Sequence, residues 1–166
     1  MERAGNILVI DDDPEMGEGC RQALEPHGFH VEVATDGEEG LRKLKEGDFD
    51  LVLLDVMMPD IHGMEILERL RNYDPDIVCV IITGYATVDL AVQAIKKGAY
   101  DFIAKPFETD TLLLTVNQGL EKRRLSLEAK RLRELEERAR RLAWEKEELE
   151  RLERVKSQFT LLVVHE

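Results

Sequence analysis

The chain has 166 residues, of which 43% are hydrophobic and 35% are charged, and its formal net charge is −12 at pH 7. This length accommodates one globular domain with an appendage, and the longest apolar runs are too short for a membrane-spanning helix. Residues 1–118 carry 10 Lys and Arg against 24 Asp and Glu. We therefore expect an acidic globule, which excludes the basic surface that nucleic-acid binding requires.

Short apolar runs alternate with amphipathic stretches over the first two thirds of the chain, and this alternation predicts βαβ units. Glycines and prolines mark the boundaries between the runs. Strands are predicted at about 6–10, 30–34, 50–54, 78–82 and 100–104. Helices are predicted at about 14–26, 37–46, 63–72, 87–97 and from 108 onward.

The polarity of these strands predicts their order in a sheet. The second and fifth strands are shorter and more polar than the others, which is typical of the two edges of a sheet. An α/β fold with a five-stranded parallel sheet in the order 2-1-3-4-5 follows, the flavodoxin-like arrangement. Its ligand site would lie outside the carboxyl ends of the first and third strands, where the direction of winding reverses.

The last third of the chain predicts one long helix. After Asn117 the sequence contains no proline and only one glycine, Gly119, and it is rich in Leu, Glu, Arg, Lys and Ala. Apolar residues recur at alternating steps of three and four, with Lys146 at one a position of the pattern, and a step of three where four is due between Leu149 and Leu152 forms a stammer. We predict a parallel coiled coil that joins two copies of the chain. The alternative is a solvated helix that lies on its own domain. The stripe consists of Leu132, Leu135, Ala139, Leu142, Leu149, Leu152, Val155, Phe159 and Leu162.

Acidic and basic residues follow the apolar strands directly. Three aspartates, residues 11–13, follow the first strand, and Asp55, Thr83 and Lys105 stand at the ends of the third, fourth and fifth. In a parallel sheet these ends converge on one pocket. Clustered carboxylates suit Mg²⁺, a hard cation that prefers oxygen ligands. Asp55 would be a nucleophile toward a phosphoryl group, with Asp11 and Asp12 holding the metal. Lys105 and the Thr83 hydroxyl would contact phosphoryl oxygens.

Several smaller features are also interpretable. Asp13 and Asp60 are further acids near the predicted pocket, and we interpret them as loop or capping residues. Cys20 and Cys79 lie in separate apolar patterns and are expected to be core residues. The Lys105-Pro106 pair favours a cis peptide bond.

These runs resemble the receiver domains of two-component response regulators over roughly residues 5–122. The motifs are Ile-Leu-Val-Ile-Asp-Asp-Asp-Pro, Asp-Leu-Val-Leu-Leu-Asp-Val-Met-Met-Pro-Asp-Ile-His-Gly-Met, Ile-Ile-Thr-Gly-Tyr-Ala and Tyr-Asp-Phe-Ile-Ala-Lys-Pro-Phe. The resemblance implies that Asp55 is the phosphoacceptor, that Asp12 and Asp55 bind Mg²⁺ directly, and that Asp11 acts through water. It also implies a Mg²⁺ ligand in the carbonyl of Met57, a switch hydroxyl in Thr83, a switch aromatic in Phe102 and a phosphate-pairing lysine in Lys105. The phosphoryl donor would be a histidine kinase or a phosphotransfer protein.

Residues 153–166 read Glu-Arg-Val-Lys-Ser-Gln-Phe-Thr-Leu-Leu-Val-Val-His-Glu. This segment is similar to the start of the dimerisation helix of sensor histidine kinases. There a Lys-Ser-x-Phe segment leads into a His-Glu pair, and His165 matches the histidine that carries the phosphoryl group. We therefore expect a receiver over residues 1–118, a coiled-coil signalling helix over 119–152 and a truncated dimerisation helix over 153–166. No ATP-binding segment is recognisable, so we expect no kinase activity from this chain alone.

The functional prediction is a cytoplasmic phosphoacceptor module that controls a dimeric coiled coil linked to a histidine kinase core. The cytoplasmic location follows from an N-terminus without the apolar region of a signal peptide. One alternative is a stand-alone dimeric response regulator whose coiled coil docks a partner. Another is a phosphatase of the haloacid-dehalogenase type, whose Asp-x-Asp-x-Thr/Val motif is not matched beyond Asp13.

Overall fold

A computed structural model describes residues 4–164 of the chain. Its strands are β1 (Gly5–Ile10), β2 (Phe29–Ala34), β3 (Leu51–Leu54), β4 (Val78–Thr83) and β5 (Asp101–Ala104). Its helices are α1 (Pro14–Leu24), α2 (Gly37–Glu46), α3 (Gly63–Tyr73), α4 (Val88–Lys96) and α5 (Thr109–Val164). All strand pairs are parallel, in the order β2-β1-β3-β4-β5. The predicted flavodoxin-like sheet and the long C-terminal helix are thereby confirmed.

The strands differ in burial as their sequences suggest. Every residue of β3 and β4 is buried, and β1 is buried from Ile7 onward. The edge strands β2 and β5 each keep partly exposed positions. Central strands of a parallel sheet are covered on both faces, which explains their uninterrupted Val, Ile and Leu content.

The sheet has an apolar layer on each face. On one face, Leu8, Ile10, Val52, Leu54 and Ile81 pack with buried residues of α2, α3 and α4. Alternate residues of the same strands face the other layer, which α1 and the first part of α5 cover through Cys20, Leu24, Leu112 and Val116. Cys79 lies in the first layer, so both cysteines are core residues, as predicted, and both are free thiols.

Helix α1 ends two residues earlier than the sequence pattern predicts, at Leu24 rather than residue 26. Residues Glu25–His27 form a 3₁₀ turn that contains Pro26. Proline has no N–H to donate to the carbonyl four residues earlier and its ring crowds that carbonyl, so the α-helix stops and a tighter turn follows.

The chain divides into two compact units, Met1–Leu125 and Ser126–Glu166. The first contains the sheet, α1 to α4 and the beginning of α5. In the second, the described residues 126–164 are helical, and several apolar side chains of the predicted stripe are at least half exposed. Within the described residues, no helix is long and apolar enough to cross a membrane. The exposed stripe residues include Leu132, Leu135, Leu142, Leu149, Leu152, Val155, Phe159 and Leu162.

Candidate functional site

Backbone hydrogen bonds extend the sheet one residue beyond the strands and fix the residues of the predicted pocket. The amide of Asp11 donates to Ala34 O at 3.0 Å, and the amide of Asp55 donates to Ile10 O at 2.9 Å. On the other side of the sheet, the amide of Lys105 donates to Thr83 O at 2.9 Å. The pocket residues therefore begin from backbone positions that the sheet itself holds.

Three carboxylates meet at the carboxyl ends of β1 and β3. One oxygen each from Asp11, Asp12 and Asp55 lies within 4.8 Å of the others. Asp11 and Asp55 are buried, whereas Asp12 is exposed to solvent. The sequence prediction that these three acids would converge agrees with this geometry.

Lys105 bridges the two buried carboxylates of this cluster. Its Nζ donates to Asp11 Oδ2 at 2.7 Å and to Asp55 Oδ2 at 3.0 Å. Burial by itself would lower the pKa of Lys105, but the hydrogen bonds to Asp11 and Asp55 outweigh it and the pKa is raised. Lys105 directly follows β5. The Lys105-Pro106 peptide is cis, as predicted.

The charges in the pocket do not balance. Burial raises the pKa of Asp11, and the hydrogen bond from Lys105 opposes this rise only in part. Three neighbouring carboxylates face one ammonium group, so the ionised cluster carries an excess of negative charge in a partly desolvated place. An added cation would relieve this repulsion.

Backbone amides hold the remaining oxygens of the buried carboxylates. Asp11 Oδ1 accepts from the Asp13 amide at 2.9 Å, and Asp55 Oδ1 accepts from the Met57 amide at 3.0 Å. Each is a turn in which an aspartate accepts from the residue two positions on. Both carboxylates are thus oriented by a backbone amide on one oxygen and Lys105 on the other.

Thr83 and Phe102 lie on the neighbouring strands β4 and β5. Thr83 is buried, and its Oγ1 accepts from the Tyr85 amide at 3.2 Å. Phe102 pairs with Ile81 in the sheet register, two residues before Thr83, and it packs half-buried against the core layer beneath α2, α3 and α4. The sequence-predicted switch residues are therefore close in the sheet but belong to adjacent strands. His165 lies outside the described residues.

The two extra acids near the pocket are capping residues, as predicted. Asp13 caps α1 by accepting from the Glu15 amide at 3.0 Å. Asp60 accepts from the amides of Gly37 and Glu38 at the start of α2, at 3.1 and 3.2 Å. Sequence reasoning did not find this target of Asp60, because the two segments are 23 residues apart in the chain.

Sequence reasoning also missed Arg123, which joins α5 to the opposite, amino edge of the sheet. Its Nε lies 3.2 Å from Asp50 Oδ1, and its Nη1 lies 3.2 Å from Asp74 Oδ2. Asp50 also accepts from the Asn6 amide at 2.9 Å. The arginine side chain is only 11% exposed. No local signal marks this residue, since its partners come from two distant turns.

The donor set fits the magnesium ion that the sequence predicts. Mg²⁺ prefers carboxylate and carbonyl oxygens and keeps several waters, so one or two protein carboxylates suffice to bind it. Asp12 and Asp55 supply such oxygens, and the backbone turn after Asp55 brings Met57 next to the cluster. The charge imbalance around Lys105 gives a separate electrostatic reason for a cation here.

Comparison with known proteins places this geometry in context. Residues 7–117 match the family described as the response regulator receiver domain. The chain is 37% identical over 139 residues to the C4-dicarboxylate transport transcriptional regulatory protein DctD of Rhizobium meliloti, covering 84% of this chain and 30% of that protein. It is 44% identical over 128 residues to DctD of Pseudomonas aeruginosa, covering 76% and 28% of the two chains. The chain therefore spans about 30% of the length of these curated relatives.

Solved structures with the same fold include a CheY-like response regulator receiver domain protein of Methanospirillum hungatei. That structure has a TM-score of 0.71 at 33% identity, covering 74% of this chain and 98% of its own. NtrX from Brucella abortus in complex with ADP gives a TM-score of 0.75 at 32% identity, with 78% of this chain and 30% of that chain covered.

Proposed function

This chain belongs to the response regulator receiver domain family, and from that premise we propose that Asp55 accepts a phosphoryl group in a Mg²⁺-dependent reaction. The bridge from Lys105 to Asp11 and Asp55, with Asp12 beside it, is the observation that supports this most directly. This arrangement places the oriented carboxylate of Asp55 next to a lysine that can pair with a phosphoryl oxygen. The family implies a phosphoryl donor such as a histidine kinase or a phosphotransfer protein.

The transfer would convert the Asp55 carboxylate into an acyl phosphate. A carboxylate oxygen of Asp55 forms a bond to phosphorus, while the bond from phosphorus to the imidazole nitrogen of the donor breaks and its electron pair stays on that nitrogen. In-line transfer of this kind depends on positioning and on stabilising the charge of the phosphoryl oxygens. Lys105 supplies a positive charge for this purpose, because its ammonium group lies between Asp11 and Asp55.

Mg²⁺, when bound, would neutralise the acidic cluster and the phosphoryl oxygens, which otherwise repel each other. We assign its direct ligands to Asp12, Asp55 and the carbonyl of Met57, with Asp11 acting through water. The assignment of the Met57 carbonyl rests on the family resemblance and on the turn that places Met57 next to Asp55.

Phosphorylation would then change the contacts of Lys105 and Thr83. A Lys105 ammonium that pairs with the phosphoryl group loses part of its bond to Asp11. The Thr83 hydroxyl accepts from the Tyr85 amide, so its own hydrogen remains available to a phosphoryl oxygen. We propose that movement of Thr83 repacks Phe102 and thereby alters the surface formed with α4 and the first part of α5.

For the output, we propose that the C-terminal helix forms a parallel dimer and that the receiver controls it. We divide the chain into a receiver over 1–118, a signalling helix over 119–152 and the start of a dimerisation helix over 153–166. The exposed stripe that includes Leu135 and Leu142 supports this proposal, because such a stripe requires a partner surface. A cytoplasmic setting fits the donor class.

Two outputs remain as proposals for what the helix controls. The Lys-Ser-x-Phe segment and His165 favour a histidine kinase core. The second is a stand-alone dimeric response regulator whose coiled coil docks a partner. The names DctD and ZraR, both called transcriptional regulatory proteins, favour a response regulator over a kinase. Both outputs use the same phosphorylation of Asp55.

The experiment that tests the phosphoacceptor assignment uses acetyl phosphate, Mg²⁺ and intact-mass spectrometry. The wild-type chain should gain one phosphoryl group, and omission of Mg²⁺ should abolish the gain. Asp55→Asn should not be labelled. Asp13→Asn is the matched control, since it neutralises a nearby exposed acid that caps α1 and should be labelled as the wild type is. Undiminished labelling of Asp55→Asn would refute the assignment.

A further inference from the structure

The loop between β3 and α3 contains Met57, the residue next to the acidic cluster, and the two ends of this loop lie close together. The amide of Gly63 donates to Val56 O at 3.0 Å. A Cβ atom at position 63 would lie 2.3 Å from Val56 Cα, so only glycine permits the two ends of the loop to approach this closely. Residues 56–62 therefore leave the end of β3 and come back close to it where α3 begins.

Inside this loop, burial alternates between neighbouring residues. Val56 and Met58 are buried in the layer beneath α2 and α3, and Ile61 packs half-buried against it. Met57, between the two buried residues, is 44% exposed and donates its amide to Asp55. The apolar anchors hold the inner side of the loop, and the Met57 backbone orients the carboxylate that we propose to be phosphorylated.

Asp60 connects the outer side of this loop to helix α2. Its two carboxylate oxygens accept separately from the Gly37 and Glu38 amides, at 3.1 and 3.2 Å. Amides in the first turn of a helix lack partners within the helix, and the positive end of the helix dipole favours a carboxylate there. A Cβ at Gly37 would lie 3.1 Å from the Ile61 Cβ, which shows how closely α2 and the loop meet.

The electrostatics of Asp60 agree with this bridge. Burial alone would raise the pKa of Asp60, but the backbone N–H groups of Gly37, Ile61 and Glu38 together outweigh it and the pKa is lowered. The carboxylate is therefore in its charged, accepting form over the whole neutral range.

We propose that Asp60 is a positioning residue for the phosphorylation site, because it fixes the loop that carries Met57 against the start of α2. The inference rests on the proposed function of Asp55. Without the bridge, the loop would sample more conformations, and ordering it around a metal ion would cost affinity. Asp60 itself contacts neither the metal ligands nor a phosphoryl group in this proposal.

Asp36 provides a matched control on the same helix. It caps α2 from its own side, by accepting from the Glu39 amide at 2.7 Å, and it makes this bond without involving the loop. Replacing either aspartate by alanine removes acceptors from the first turn of α2, so both variants should lose thermal stability to a similar degree. Only the Asp60 variant should loosen the loop.

The test measures Mg²⁺ binding to the unphosphorylated chain by isothermal titration calorimetry and, in parallel, the rate of labelling by acetyl phosphate. We expect Asp60→Ala to weaken Mg²⁺ binding by about ten-fold, the lower end of what loss of a group behind the ligands costs, and Asp36→Ala to leave it within about two-fold of the wild type. Asp60→Asn keeps one acceptor oxygen and should lie between Asp60→Ala and the wild type, and it also serves if the alanine variant does not fold.

The outcomes separate this inference from the proposed function. Equal changes in the Asp60 and Asp36 variants, or no change in the Asp60 variants while the wild type binds Mg²⁺ and is labelled, would overturn the positioning role alone. A wild-type chain that neither binds Mg²⁺ nor accepts a phosphoryl group would overturn the proposed function, and the positioning role with it.

Discussion

The ammonium group of Lys105 lies 3.0 Å from Asp55 Oδ2, although the two residues are 50 positions apart in the chain. The same ammonium lies 2.7 Å from Asp11 Oδ2, so one lysine directly after β5 pairs with carboxylates that follow β1 and β3. The site is held by its own charges before any ligand arrives. This relationship leads to predictions about stability as well as about phosphorylation.

Replacing Lys105 by alanine should destabilise the receiver by about 2 kcal/mol, because it leaves two buried carboxylates without their charged donor. Added Mg²⁺ should restore part of this loss by binding the native state. Labelling of Asp55 should persist, with a weaker structural response. Lys97→Ala is the matched control, since Lys97 pairs with Glu68 at the surface and should contribute little. Denaturant unfolding with and without Mg²⁺ measures both effects, and equal losses in the two variants would contradict the prediction.

The raised pKa of Lys105 gives this contribution a definite pH dependence. Its stabilising effect is fully present below the ordinary lysine value of 10.5 and is lost as the pH rises through the higher value in the folded state. The difference in unfolding free energy between the wild type and Lys105→Ala should therefore be constant from pH 7 to about 9 and should shrink only in strong alkali.

Asp11→Asn should stabilise the metal-free receiver at neutral pH. The pKa of Asp11 is raised mainly by burial, so its ionised form costs stability above the ordinary value of 3.8. The same change should reduce the stabilisation that Mg²⁺ gives. Asp13→Asn is the control, because asparagine caps a helix as well as aspartate does. Thermal unfolding with and without Mg²⁺ measures both effects. A destabilised Asp11→Asn variant would contradict the inference that the acidic cluster carries an unfavourable excess of negative charge.

Arg123→Ala should destabilise the first unit by about 2 kcal/mol, because it breaks charged hydrogen bonds to both Asp50 and Asp74. The neighbouring Arg124 offers a control, since its pair with Glu121 is exposed and lies on the same helix. Arg124→Ala should cost clearly less stability than Arg123→Ala. Chemical denaturation of the two variants measures this difference. Equal effects would show that burial of Arg123 confers no additional stability.

The C-terminal helix should make the chain a dimer. Leu135→Glu together with Leu142→Glu should produce a monomer. Each leucine of the stripe would bury apolar surface worth about 2 kcal/mol in the dimer, and a carboxylate in its place would be desolvated. Trp144 is 63% exposed and lies outside the predicted stripe, so the Trp144→Glu variant should remain dimeric. Light scattering at micromolar concentration distinguishes these states. A monomeric wild type would refute the coiled coil.

That the acids and Lys105 of the pocket lie together could be predicted from the sequence, because these residues stand at strand ends. Ile10 and Leu54 belong to apolar strands, and the acids that follow them meet as soon as the strands are parallel and adjacent. The strand order itself followed from the polar residues of β2 and β5. By contrast, Asp60 and Arg123 make their bonds to segments that the topology brings together but no periodicity predicts. Nothing in the local sequence distinguishes these two residues from other charged surface residues, so their partners can be identified only from the three-dimensional structure.

Helix ends showed the same distinction on a smaller scale. The start of α4 differs from the predicted start by one residue because Thr87 caps the helix rather than belonging to it. The early end of α1 depends on Pro26, which still permits one 3₁₀ turn. Such choices between helix, cap and turn differ by small free energies, which an apolar pattern does not resolve.

The placement of Cys20 and Cys79 in the two core layers has a practical consequence for spectroscopy. Burial, aided by the Asp11 charge, raises the pKa of Cys20 to about 11, and burial raises the pKa of Cys79 to about 12. Thiol reagents attack the thiolate, which is scarce in both residues near neutral pH. A cysteine introduced at Ala139 or Gln158 would therefore take up a spin label selectively in the otherwise unaltered protein. Distances between the two labelled copies, with and without beryllofluoride, could then be recorded on a native background.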